Sequence, residues 1–361
     1  MRLRRTAIAL VLIGCLSAPA DAAARPLAGF AGILSEDTYA GTPAYQAKTL
    51  KKMHATGFTL LRETFNWGDI QPRPDVLDFS ATDRFVLAAA KQRMRVLPIL
   101  FGQPTWAVTK SGGPHTSATT SYPPRDPGTL AAFGAAVAKR YGPGGTLWTK
   151  HPTLKPMPTT GYQIWNEQNL RVYWGGRPSA TAYVNLLKPV ATAIRAVQPR
   201  AEIVTGGMPQ SKSGIALTSY VRGLYKRGGG PYIDTVAVNA YSADANRMLQ
   251  RLRAVRRIMN QSGGRGDRMR VSEFGWADGG PRAKPYTVGR KRQASLISST
   301  VRALYRARRG LKLRGFVYSD WRDLPIYRGG KDFYGLHTGL LKKNGKGKLA
   351  LAAMKRALRT I

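Results

Sequence analysis

Two kinds of hydrophobic pattern alternate along this chain. Short apolar or β-branched runs occupy residues 28–34, 59–65, 95–101, 162–165, 202–205, 235–240, 269–272 and 315–318. Between them lie longer stretches in which apolar residues recur three or four positions apart: 43–56, 81–92, 127–141, 179–198, 216–227, 245–261 and 289–308, with 347–358 closing the chain. The first kind predicts strands and the second amphipathic helices. Regular alternation predicts parallel strand–helix–strand units, and eight such units predict a closed α/β barrel, the (β/α)8 or TIM barrel. The helix over 245–261 shows the pattern well. Met248, Leu249, Leu252, Val255 and Ile258 share one face, while Arg247, Arg251, Arg253, Arg256 and Arg257 fall largely on the rest and read as a solvated surface. Segments 109–127 and 142–158 are rich in Pro, Gly, Ser and Thr and are expected to be loops within the barrel. No internal repeat and no break in composition marks a second domain.

The first residues depart from this pattern. Arg2, Arg4 and Arg5 precede an apolar run over 7–16, and small residues cluster over 17–24. That is the layout of a secretory signal peptide, too short to span a bilayer, with cleavage after Ala22 or Ala24. The reading is therefore a leader over 1–24 and one catalytic domain over 25–361, with a secreted product. Leu12-Ile13-Gly14-Cys15 offers an alternative, a lipobox that would leave the protein lipid-anchored at Cys15. No later run is long and apolar enough to serve as a transmembrane segment.

Cys15 is the only cysteine, so disulfides, a thiol nucleophile and a cysteine-based metal site are excluded from the mature chain. Four widely spaced histidines carry no zinc-binding spacing, and there is no glycine-rich phosphate loop. Neither a metal nor an organic cofactor is expected. The 361-residue chain carries 57 Lys and Arg against 19 Asp and Glu, a net charge of +38. Loss of the leader removes three Arg and one Asp and leaves +36. Such a surface attracts polyanions at long range, so an anionic polysaccharide is one expected partner. No nucleic-acid motif accompanies the charge, and no specific nucleic-acid partner is expected. Nothing fixes the oligomeric state; a monomer is the expectation.

Two glutamates sit where a barrel enzyme needs them. Glu167 follows the fourth run, in Gly161-Tyr-Gln-Ile-Trp-Asn-Glu-Gln-Asn169, and Glu273 ends the seventh, in Arg270-Val-Ser-Glu-Phe-Gly-Trp276. The carboxyl ends of the strands form the active-site mouth of this fold. Carboxyl groups from the fourth and seventh strands can face each other there. A facing pair is the usual machinery for cleaving a glycosidic bond.

Trp165-Asn166-Glu167 and Ser272-Glu273-Phe274-Gly275-Trp276 resemble the acid/base and nucleophile motifs of clan A glycoside hydrolases, retaining enzymes on (β/α)8 barrels. The closer likeness is to the family 39 type and its bacterial polysaccharide-hydrolase relatives. Further stretches resemble other strands of the clan: Leu60-Leu61-Arg62 through Asn66-Trp67, Val96-Leu97-Pro98 through Trp106-Ala107, Val236 to Tyr241, Tyr318 to Trp321, and Tyr334 through Lys346.

The resemblance implies that Glu167 is the general acid/base and Glu273 the nucleophile. It implies that Arg62 and Tyr241 support Glu273, that Asn166 binds the sugar 2-hydroxyl, and that Trp321 forms a platform under the sugar. Trp67, Trp106, Trp174 and Trp276 are further candidates for the cleft wall. The expected substrate is a poly- or oligosaccharide, and the carboxyl separation expected of a retaining enzyme is about 5–5.5 Å. Two positions depart from the family pattern. Gln168 stands where many relatives carry Pro, which is expected to alter the local loop. Asn239 stands where many carry His, which is expected to change hydrogen bonding around the nucleophile. The alternative reading is a non-catalytic binder of acidic glycans or cell-wall polymers on a barrel scaffold.

Overall fold

The computed structural model describes residues 27–34, 36–108, 121–327 and 330–361. The leader, Cys15 and most of the expected loop over 109–127 lie outside the described residues.

Nine parallel strands form one sheet: β1 (Ala31–Leu34), β2 (Leu60–Asn66), β3 (Arg95–Phe101), β4 (Gly161–Ile164), β5 (Glu202–Thr205), β6 (Met208–Pro209), β7 (Thr235–Asn239), β8 (Arg268–Glu273) and β9 (Leu313–Tyr318). The hydrogen-bonded order runs from β5 through β1 to β9 and back to β7, and pairing of β5 with β7 closes the ring. The two-residue β6 is an extra rung beside β7. The remaining eight are the predicted strands, displaced by no more than three residues at any end.

Helices follow the strands as predicted, among them Pro43–Thr56, Pro127–Tyr141, Ala180–Val197, Ala245–Gln261 and Arg290–Ala307. Each buries its apolar face on the outside of the barrel. In Ala245–Gln261 the buried residues are Met248, Leu249, Leu252, Val255, Ile258 and Met259, and each side chain removed from water contributes about 1.5–3 kcal/mol before chain entropy is counted. One arginine of that helix departs from the expected solvated face. Arg256 is buried, and its guanidinium donates to the carbonyls of Asp267 and Gly264. It holds the turn into β8, because a buried guanidinium must spend its donors on protein oxygens.

Inside the barrel, side chains from alternate strand positions fill the lumen. Leu34, Leu60, Leu97, Val204, Ala237 and Val317 form a separate apolar cluster there. Arg62 on β2 lies above it toward the mouth, and Arg270 on β8 lies toward the base. Among the described residues no helix is long and apolar enough to cross a membrane.

Candidate active site

The carboxyl end of β4 does not run straight into its loop. Trp165 and Glu167 both hold left-handed backbone angles, with φ of 69° and 48°. Such angles in residues other than glycine cost about 1–3 kcal/mol each and persist only where surroundings enforce them. Several bonds do so here. The Trp165 amide donates to the Leu100 carbonyl at 3.1 Å, and its indole nitrogen donates to the Tyr173 carbonyl at 2.6 Å. The Gln163 amide nitrogen donates to the Trp165 carbonyl at 2.8 Å, and the Glu167 amide donates to the Gly207 carbonyl at 3.0 Å. The result turns the Glu167 side chain over the barrel mouth.

Gly207 is required at this approach. A Cβ there would collide with the Asn239 amide oxygen and the Ser272 hydroxyl. Those two groups belong to one relay: the Ser272 hydroxyl donates to Asn239 Oδ1 at 2.8 Å, and Asn239 Nδ2 donates to Glu167 Oε1 at 2.7 Å. A register shift between Val238 and Asn239 sets Asn239 beside Glu273 in the sheet. Irregular pairing of this kind re-aims a side chain at the end of a strand. The effect of Asn239 therefore falls on the Glu167 carboxyl, where the sequence pointed to the nucleophile. Gln168 is buried and donates to the Gly206 carbonyl at 3.4 Å.

Glu273 ends β8 and is held from two sides. Arg62 Nη1 donates to Glu273 Oε1 at 2.8 Å, and the Tyr241 hydroxyl donates to Oε2 at 3.1 Å. Arg62 is 1% exposed and fully committed. Its Nε donates to Gln163 Oε1 at 2.8 Å and its Nη2 to Asn166 Oδ1 at 3.0 Å. Asn166 thus has its oxygen engaged below and lines the cleft above. The Tyr241 loop is anchored by Arg251, whose Nη1 donates to the Tyr241 carbonyl at 2.5 Å and to Ser242 Oγ at 2.9 Å.

The two carboxyls meet in one cleft of about 290 Å³. Their environments differ. Glu273 has an arginine and a phenol. Burial pushes Glu167 up to about 8, with the Glu273 charge adding to the rise and the Asn239 bond and Arg62 opposing it. Glu167 is therefore protonated at neutral pH, as a general acid must be. Burial and the Glu273 charge likewise keep the Tyr241 hydroxyl protonated and a donor. Arg62, Asn166, Asn239, Tyr241, Glu167 and Glu273 are thus brought together.

The tryptophans are not. Trp67, Trp174, Trp276 and Trp321 are between 0 and 3% exposed and belong to the core. Trp67 stacks on Phe133, Trp174 packs against Trp165 and Tyr183, Trp276 packs against Phe274, and Trp321 packs edge-on to Phe58. Trp106 leans on Trp67 away from the cleft and donates to the Gln71 carbonyl. A ring at a strand end can point into the mouth or back between strand and helix, and strand-end position alone does not choose. The wall is made instead by Tyr173, Tyr241, Tyr327, Phe333 and Tyr334. Tyr334 stacks on Tyr286 with centroids 4.8 Å apart.

Two further carboxylates line the cleft and were not singled out from sequence. Glu36 follows β1 and accepts from the Tyr327 hydroxyl at 3.0 Å, and Asp320 follows β9 and accepts from Ser319 Oγ at 3.2 Å. Both stand just past the carboxyl end of a strand, and that position was the signal available. Among the described residues no three His, Cys, Asp or Glu side chains are grouped so as to hold a metal ion.

No family model matches the chain, and no curated protein sequence matches it. Solved structures do. The chain is similar to a family 39 glycoside hydrolase from the gut symbiont Bacteroides cellulosilyticus WH2, with 17% identity, a TM-score of 0.64, and coverage of 92% of this chain and 64% of that one. It is similar to the GH39 enzyme from Xanthomonas axonopodis pv. citri, with 17% identity, a TM-score of 0.67, and coverage of 92% and 66%. It is also similar to a monomeric beta-xylosidase from Caulobacter crescentus CB15, with 18% identity, a TM-score of 0.67, and coverage of 91% and 67%. The chain spans about two thirds of the length of these proteins. At these identities the likeness is one of architecture: the chain has the (β/α)8 barrel fold of these glycoside hydrolases.

Proposed function

We propose that this protein is a retaining glycoside hydrolase that cleaves an O-glycosidic bond of a poly- or oligosaccharide. The observation that carries the reading is the unequal pair in one cleft. Glu167 is buried and held protonated, while Glu273 is ion-paired to Arg62 and hydrogen-bonded by Tyr241. A buried carboxyl that holds its proton, facing a second carboxyl gripped by a guanidinium and a phenol at the same opening, is what acid-assisted displacement at a sugar carbon needs. The solved glycoside hydrolases of the same fold support the same chemistry.

In the first step Glu273 attacks the anomeric carbon, the bond to the departing oxygen breaks, and Glu167 gives that oxygen its proton. In the second step Glu167 takes a proton from water. The resulting hydroxide oxygen bonds to the anomeric carbon, and Glu273 leaves as a carboxylate. The negative charge lost from Glu273 in the intermediate lowers the proton affinity of Glu167, which fits its change from acid to base. Asn166, fixed through its oxygen by Arg62, keeps its amide hydrogens for a sugar hydroxyl. Tyrosine rings on the wall offer stacking surface for sugar C–H faces. Export past the cell membrane, by cleavage of the leader or by a lipid at Cys15, belongs to the same proposal and rests on the layout of residues 1–24.

The test is a fluorinated sugar with a good leaving group, which traps the glycosyl-enzyme. The expected result is a single covalent adduct on the peptide containing Glu273, absent in Glu273→Gln. An adduct that survives this substitution, or hydrolysis that inverts the anomeric configuration, removes the retaining assignment. A non-catalytic binder would give no adduct and no turnover with any glycan.

A further inference from the structure

We infer that the cleft selects a glycan carrying free, protonated amino groups, with Glu36 and Asp320 as their counter-charges; this rests on the glycoside hydrolase reading. Charge bias at the cleft runs against that of the whole chain. Basic side chains outnumber acidic ones 57 to 19, yet the cleft is lined by four carboxyl side chains, Glu36, Glu167, Glu273 and Asp320, with no Lys or Arg among the described lining residues. Arg62 reaches Glu273 from beneath and is spent there and on Gln163 and Asn166. Among the described residues, the other two carboxyls, Glu36 and Asp320, have hydroxyl donors alone, Tyr327 and Ser319.

Asp320 supplies an independent observation. It is 5% exposed, it lines the cleft, and its Oδ1 has no hydrogen-bond partner among the described residues. A buried carboxylate oxygen left without a donor is costly, and the cost is removed by a ligand that brings one. An ammonium group brings three donors, no acceptor and a positive charge. A metal cation is the other candidate, but no metal-holding group exists among the described residues. Burial raises the Glu36 and Asp320 carboxyls from their ordinary range, and negative neighbours raise them further, Glu273 and Asp37 at Glu36 and Glu36 and Glu273 at Asp320, so both tend to hold a proton until a cation in the cleft favours the ionised form. An anionic sugar at the same place would add to that repulsion. The basic exterior then has a separate effect: it repels polycations, so affinity for an amino glycan must come from the cleft and not from diffuse attraction.

The experiment compares short oligosaccharides of one backbone that differ only at carbon 2, bearing a free amine, an N-acetyl group or a hydroxyl. Both gluco- and galacto-configured sets are used. Binding to the Glu167→Gln protein is measured by calorimetry near pH 6, in low and in high salt. The expected result is at least about tenfold tighter binding of the amine in one configuration, weakened by salt as expected for ion pairing. Glu36→Gln and Asp320→Asn should each collapse the amine-to-hydroxyl ratio by about tenfold. Glu36 is the more exposed of the two residues, so its variant tests the idea even where Asp320→Asn does not fold. Equal binding of all three oligosaccharides, absence of binding, preference for the N-acetyl or hydroxyl form, or a ratio unmoved by Glu36→Gln overturns the inference. The covalent trap at Glu273 is read separately with a neutral sugar. An adduct there without amine preference sinks only the substrate class, while loss of the adduct sinks the hydrolase reading.

Discussion

The two ends of this barrel use the same ingredients to opposite effect. Each has a buried arginine from a barrel strand near a carboxylate: Arg62 with Glu273 at the mouth, and Arg270 within the field of Glu202 at the base. At the base the three described carboxylates are matched. Glu202 accepts from Thr235 and pairs with Arg314, Asp234 accepts from Arg195 and from the Ile203 amide, and Asp267 accepts from Tyr225. At the mouth four carboxyls share one arginine. The base also has the larger grooves, of about 580 and 610 Å³ against about 290 Å³ for the mouth. Size therefore picks the wrong end. Uncompensated charge beside an opening is the better guide, because a structure tolerates it only where a ligand or a reaction uses it.

That contrast can be broken by experiment. The largest effect is expected for Glu273→Gln, which should lower kcat/KM by at least about 10⁴-fold with the fold intact by circular dichroism, since the proposed mechanism puts the covalent bond on that carboxylate. Glu167→Gln should cost about 10²–10⁴-fold on substrates with poor leaving groups and far less where the leaving group departs without a proton. An equal loss on both substrate types would deny Glu167 its role as acid.

The pH profile follows from the same residue. Glu167 must hold its proton, so log kcat/KM should be flat toward neutrality and fall as pH rises through about 8. Asn239→Ala should slow turnover by about tenfold, within the range for loss of one buried hydrogen bond. The Asn239 bond opposes the rise in Glu167, so its loss should move the alkaline limb upward. A limb that stays in place or moves down would separate Asn239 from Glu167.

The smallest catalytic effect belongs to the base. Glu202→Gln removes the carboxylate that pairs with Arg314 and accepts from Thr235, and should lower stability by about 1 kcal/mol in denaturant unfolding, with kcat changed less than about twofold. A strong kinetic effect in that variant, with stability unaltered, would erase the distinction between the two ends.

The barrel was legible in the chain because burial against one face repeats with a period that each element imposes. Eight apolar runs and the helices between them landed within a few residues of their predicted places. Glu167, Glu273, Arg62, Asn166 and Tyr241 were legible because strand ends of a barrel converge and the motifs around them are distinctive. The tryptophans were not. Trp276 follows Glu273 by only three residues, yet its ring lies in the core with its indole nitrogen donating to the Ser242 carbonyl. Local pattern says that a large ring will be buried, but not against which neighbours.

Sequence alone determined the eight main strands, the closure that eight units make natural, and the two glutamates at their strand ends. These depend on local periodicity and on chain order. Tertiary structure decided which charges remain unpaired. Glu36 and Asp320 are separated from Glu167 and Glu273 by long stretches of chain, and only closure of the ring sets them in the same cleft. Their state depends on the dielectric and the partners found there, and those are properties of space rather than of position along the chain.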